Sequence, residues 1–304
     1  MDLDQVYRES GPLLRGVGYR ICGDVGVAED LLQETFLRVL ETSDPGTIGG
    51  HELVSALTRL AVEARQSRQS ANYRGTWLPT PVQTDLGGVG DLEPAASQAT
   101  LGFDFLCALE RVAPQPRAAF ILAEIAGESP EGIGEILGQP AAIVEASVVE
   151  ASLVLAESRF HGSLREGLAE KRRLVEAMRA GLASGGLDLP RDGVAPRIEM
   201  VFDHGGACNA PENQTCVPGR AVELLSGALQ KGPETPRIDI VEVNFLPALL
   251  IDLGECPEGD AERFAILPGW ANDGLLGRLQ IILAPSKLRA LSFDGLRPSL
   301  GEIF

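Results

Sequence analysis

Four groups of residues have the types and spacing that chemistry needs. Asp203 and His204, followed by Gly205 and Gly206, could serve as an acid/base pair, since a carboxylate beside an imidazole can relay a proton. The same four residues also suit a tight turn, in which the glycines allow positive φ and the Asp caps the backbone. The chain has three histidines (His51, His161, His204), and its order of residues gives no second group to converge on the pair, so the turn is the preferred reading. Cys208 and Cys216 lie close enough to bridge or share a metal, but none of the five cysteines (Cys22, Cys107, Cys208, Cys216, Cys256) stands in a CxxC or histidine pattern. We therefore expect reduced thiols, no metal and no cofactor.

The other two groups could bind rather than catalyse. Arg59, Arg65 and Arg68 form one of the few basic clusters; they could contact phosphates or simply solvate a helix face. Asp30, Gln33 and Glu34 share a polar-acidic helix face with an apolar Leu37, which is either a solvated surface or a docking patch.

The bulk numbers limit these readings. The formal net charge of −17 over 304 residues sets up a field that repels phosphate backbones, so only a locally basic face could hold nucleic acid. The aromatic content of 5% against 44% hydrophobic residues calls for aliphatic cores. The opening residues "MDLDQVYRES" are acidic and no apolar run approaches a membrane span, so a cytoplasmic location without membrane contact is expected.

The elements that must position these groups follow from periodicity. From Tyr7 to about Arg74 the pattern is helical: Leu32, Phe36, Val39 and Leu40 make one stripe, and Leu53, Leu57, Leu60, Ala61 and Ala64 another. "ANYRGTWLPTPVQTDLGG" then combines Trp77 with Pro79 and Pro81, which rules out helix and implies a linker pinned by its indole against a neighbouring domain. Helices resume from Leu101 to about Arg159. Within them Ser129, Pro130 and Glu131 start one helix, Gly138 ends it and Pro140 opens the next, a helix-turn-helix outline. After one more amphipathic helix (Leu164 to Leu182) the period drops to two in "RIEMVF", "RIDIVEV", "LPALLID", "RFAIL" and "GRLQIIL". The expected architecture is two all-α helical domains (1–75 and 101–160), joined by a 76–100 linker, then an α+β domain (164–295) with a curved antiparallel sheet.

These pieces resemble a known family. "YRESGPLLRGVGYRICGDVGVAEDLLQETFLRVL" is similar to region 2 of extracytoplasmic-function (ECF) sigma factors. "YRGTWLPTPV" resembles the linker of the subgroup that carries a C-terminal SnoaL-like domain, with Thr80 in place of its Glu, and "LERVAPQPRAAFILAEIAGESPEGIGEILG" resembles that subgroup's region 4. "FDHGGACNA", "VNFLPALLI" and "ILAPSKL" look like its C-terminal motifs, in order. The resemblance implies that core RNA polymerase is the partner, held through Asp30, Gln33, Glu34, Phe36 and Leu37, and that Arg59, Arg65 and Arg68 read and melt promoter DNA. It also implies that Trp77, Leu78, Pro79 and Pro81 connect to a regulatory SnoaL-like cone.

The departures matter as much. Where the subgroup's last region 4 helix is basic, Ala141 to Ser158 has no Lys or Arg and carries Glu145, Glu150 and Glu157. From Leu101 to Phe160 nine acids face three arginines, a net charge of −6. Acid opposite phosphate opposes binding, so promoter DNA contact is expected to be weak or absent. The alternative is a sigma-shaped scaffold or partner-binding regulator, or a cone that takes a small-molecule ligand, a protein partner or a substrate.

Overall fold

The computed structural model describes residues 3–42, 49–70, 73–85, 99–158, 166–185, 189, 192–232 and 235–293; the linker residues 86–98, Arg159 and His161 lie outside them. The chain divides into two compact units: a helical one within Met1–Asn72, Asp91–Leu101 and Phe105–Ser158, and a sheet-containing one within Tyr73–Gly90, Gly102–Asp104 and Arg159–Phe304.

In the helical unit, α1 (Leu3–Cys22), α2 (Val25–Thr42) and α3 (Gly50–Ser70) pack around fully buried Leu14, Val17, Ile21, Leu32, Leu53 and Leu57. Asp24 starts α2 by accepting the Val27 N–H at 3.2 Å. The same unit holds most of α4 (Phe103–Leu109), then α5 (Pro114–Ile121), which runs into a π-helical turn at Leu122–Ala126. α6 (Pro130–Leu137) and α7 (Ala141–Ala156) follow, their axes bent by 98°. Ser129 Oγ caps α6 through the Gly132 N–H at 3.2 Å, and Gly138 (φ 67°) closes it. Pro140 is the N-cap residue of α7 and not its first helical position. The two helical segments read from the sequence as separate modules are thus packed in one unit.

The second unit lays α8 (Leu168–Ala183) and α9 (Pro218–Leu229) on a six-stranded sheet of β1 (Val194–Asp203), β2 (Gln214–Cys216), β3 (Arg237–Val243), β4 (Leu246–Asp252), β5 (Arg263–Trp270) and β6 (Leu276–Ile282); a single turn, α10 (Pro285–Leu288), follows. The strand order is β2-β1-β6-β5-β4-β3. All neighbours are antiparallel except β1 and β6, which run parallel, Met200 opposite Leu279 and Phe202 opposite Ile281. The sheet is therefore mixed, where alternation had suggested an antiparallel one, because period two records which face is buried and not strand direction. The core joins Val175, Met178 and Leu182 of α8 and Leu225 of α9 to Met200, Phe202, Ile251, Phe264 and Ile281.

No single described helix is long and apolar enough to cross a membrane.

Candidate functional site

The α2 surface comes first in the chain. Asp30, Gln33 and Leu37 are exposed, at i, i+3 and i+7 on one face, and Leu37 keeps 64% of its surface accessible. Glu34 pairs with Arg38, and half-buried Phe36 lies with its ring 5.2 Å from Tyr7. The face offers an acid, an amide and an apolar tip on a rigid helix, a combination suited to protein contact.

The three arginines have a different setting. Arg59 donates from Nε to the Ile136 carbonyl at 2.9 Å and from Nη2 to the Glu135 carbonyl at 3.3 Å, so it caps the C-terminal end of α6. Arg65 is 1% exposed and binds both carboxylate oxygens of Glu110, at 3.1 and 3.0 Å. Arg68 donates to Glu110 Oε2 at 3.0 Å and to the Cys22 carbonyl. Fully buried Arg117 completes the cluster at 2.8 Å from Glu110 Oε1. Burial alone would raise the Glu110 pKa, but Arg117, Arg65 and Arg68 outweigh it and hold the carboxyl below its usual range. Burial pulls Arg117 down to about 10, with Glu110 opposing the shift.

Sequence reading missed Glu110 as the hub. It stands 42 and 45 residues from Arg68 and Arg65, a separation that helical periodicity cannot register. The arginines read as a phosphate-facing set are, in this arrangement, ligands of one internal carboxylate and of helix-end carbonyls.

In the second unit the linker meets Asp203. This carboxylate has no exposed surface; it accepts the Leu78 N–H at 2.8 Å, the Tyr73 hydroxyl and the Lys287 ammonium. Lys287 also donates to the Leu78 carbonyl and lies 3.4 Å from the Trp77 ring centroid, a cation–π contact. Tyr73 packs edge-on against Trp77 with centroids 4.9 Å apart. Pro79 and Pro81 are buried in the extended run that continues to Thr84. There the Val82 N–H donates to Asn244 Oδ1 at 3.0 Å, the Asn244 N–H to the Val82 carbonyl at 2.8 Å, and the Thr84 N–H to the Glu242 carbonyl at 2.8 Å. The linker thereby runs along β3 and covers a sheet edge that would otherwise be open.

His204 does not join Asp203. Its Nδ1 accepts the Gly206 N–H at 3.1 Å, and its Nε2 packs so close to Gly75 that a Cβ there would stand 2.5 Å from it. Gly205 and Gly206 have φ of 57° and 81°. The structure thus places Asp203 inside as a linker anchor and the next three residues in a surface turn. Among the described residues no group of three or more His, Cys, Asp or Glu could hold a metal ion.

Three comparisons bear on identity. The Sigma-70 region 2 family model matches residues 6–47, the span of α1 and α2. The chain is 29% identical over 230 residues to the ECF RNA polymerase sigma factor SigJ of Mycobacterium tuberculosis, covering 72% of this chain and 71% of that one. It is 28% identical over 203 residues to the probable ECF RNA polymerase sigma factor SigI of the same organism, covering 65% of this chain and 68% of SigI. The crystal structure of M. tuberculosis SigJ superposes with a TM-score of 0.73 at 21% identity, over 96% of this chain and all of that one. The sigma region 2 match falls on the first two helices, and along most of its length the chain is similar in sequence and in fold to extracytoplasmic-function sigma factors.

Proposed function

We propose that the chain binds core RNA polymerase through the α2 face and acts as a cytoplasmic transcription regulator whose sheet unit modulates the helical one. The carrying observation is that the residues matched to sigma region 2 present Asp30, Gln33 and Leu37 outward on one helix face. Promoter DNA binding by the free chain is weak. Arg59, Arg65 and Arg68 are engaged within the unit, and α7 offers acids where phosphate contacts need cations. Titration of purified core polymerase with the labelled chain tests the first part: Asp30→Lys with Leu37→Asp lowers affinity at least about tenfold, and unchanged affinity overturns it.

A second reading, a sigma-shaped regulator that no longer binds DNA, is favoured by α7 in particular. Anisotropy with a mixed pool of duplex DNA at low salt separates the two. Tight, salt-sensitive binding by the free chain sinks the second reading. Absence of DNA binding even with core polymerase present supports it.

A further inference from the structure

α7 carries aliphatic side chains on every side, broken only by Glu145, Glu150 and two serines, yet it is only half covered. Val144, Ala151 and Leu155 are buried against the helical unit, while the opposite side is open: Ile143 is 52%, Val149 58% and Leu153 62% exposed. A helix apolar all round is normally enclosed. The exposed residues Ala142, Ala146, Val149, Leu153 and Ala156 recur at alternating spacings of four and three, the repeat of a two-helix seam. The positions beside that seam hold Glu145 and Glu150, both exposed, and Glu157, which pairs loosely with Arg111 at 3.4 Å. The seam and its flanks contain no Lys or Arg.

We propose that this face of α7 is a docking site for an amphipathic helix of a protein partner, with an aliphatic seam flanked by Lys or Arg. Residues flanking such a seam set partner choice. A second copy of α7 would bring Glu145 and Glu150 against their own equivalents, and like charges repel. Duplex DNA would meet three carboxylates and exposed aliphatic side chains, and Arg111 at the edge is already paired with Glu157, so little counterion release would follow. A basic partner helix covers Val149 and Leu153 and neutralises the flanking acids in one step. The proposal does not depend on polymerase binding, which uses α2.

The test uses the full chain and three labelled designed peptides, each of about three heptads. One has Leu and Ile in the seam with flanking Lys, one the same seam with flanking Glu, and one Ser in the seam with flanking Lys. The Lys-flanked aliphatic peptide binds saturably. The Glu-flanked peptide binds at least about tenfold more weakly, and the Ser-seam peptide does not bind. In the chain, Val149→Ser with Leu153→Ser lowers affinity for the first peptide at least about tenfold, with melting temperature unchanged because both side chains are exposed. Glu145→Lys with Glu150→Lys inverts the preference between Lys- and Glu-flanked peptides. Three results overturn the proposal: undiminished binding to the Ser variant, no saturable binding of any peptide, or a dimer in sedimentation that the Ser variant abolishes, which would give the face to a second copy.

Discussion

The Glu110 carboxylate stands 2.8 Å from the Arg117 guanidinium and 3.0 Å from that of Arg65, so one acid from the end of α4 ties α3 to α5. Two of its three arginine partners are almost wholly buried. Removing the acid leaves those buried cations without a counter-charge, held only by backbone carbonyls.

Glu110→Gln keeps the shape and removes the charge. It is expected to destabilise the helical unit by about 3–5 kcal/mol, the usual cost of breaking a buried ion pair from one side. Denaturant unfolding followed by circular dichroism measures it. The pH dependence has a defined sign: the folded pKa lies below the ordinary 4.5, so the stabilisation is complete above that value and is lost as pH falls through the lower folded pKa. Acid unfolding of the Gln variant lacks that component.

Asp104 runs the other way. Its carboxyl accepts the Trp270 N–H at 3.2 Å and a bond from Gln280 Nε2 at 2.6 Å, yet burial outweighs these bonds and nearby Arg278 and raises its pKa from 3.8 to about 6. A raised carboxyl pKa means that the folded state holds a proton the unfolded state releases. Stability of the sheet unit therefore declines as pH rises from about 4 to about 6, then levels off. Asp104→Asn removes this slope, and melting temperatures of both proteins between pH 4 and 7 check it. Parallel profiles would refute the assignment.

Lys287 is the linker's counterpart to Glu110. Lys287→Met leaves Asp203 buried without its ammonium partner, and strips the cation from the Trp77 face. The expected outcome is a loss of about 3–5 kcal/mol in the sheet unit, with release of the linker. The chain has two tryptophans, so a Trp270→Phe background isolates Trp77. In that background Lys287→Met shifts Trp77 emission to the red and opens residues 73–85 to protease. Unchanged emission would mean that the linker is held by its prolines and β3 contacts alone.

What the sequence revealed and what it hid divide by range. Local rules found the Ser129 and Gly138 caps, the strand segments and the non-helical run around Trp77, because each signal lies within a few residues. The partners of those residues were not legible. Lys287 lies 209 residues beyond Leu78, and the β1–β6 pairing joins the first and last strands of the sheet. The arginines misled for the same reason: the type and spacing of Arg65 and Arg68 suit phosphate contact, and only the fold reveals that Glu110 claims them. Likewise, the acids of α7 were evident as charge, but that they flank an uncovered seam required knowing which side of the helix is buried.

The two-residue β3–β4 turn gives the last prediction. Asn244 and Phe245 both have positive φ, 48° and 68°, as a two-residue hairpin of this hand requires. Asn tolerates that region, whereas for Phe it costs about 1–2 kcal/mol. The strain is held in place by the linker: Asn244 exchanges two bonds with Val82, and the Phe245 N–H donates to Thr84 Oγ1 at 3.0 Å. Asn244→Ala removes the acceptor for the buried Val82 N–H and puts a less tolerant residue at φ 48°. A loss of about 1–3 kcal/mol is expected, together with faster amide exchange at Val82 and Thr84. Phe245→Gly relieves the strain but gives up a half-buried ring, so its net effect stays within about 1 kcal/mol. Exchange at Val82 that is unaffected by Asn244→Ala would show that the turn and the linker are not coupled.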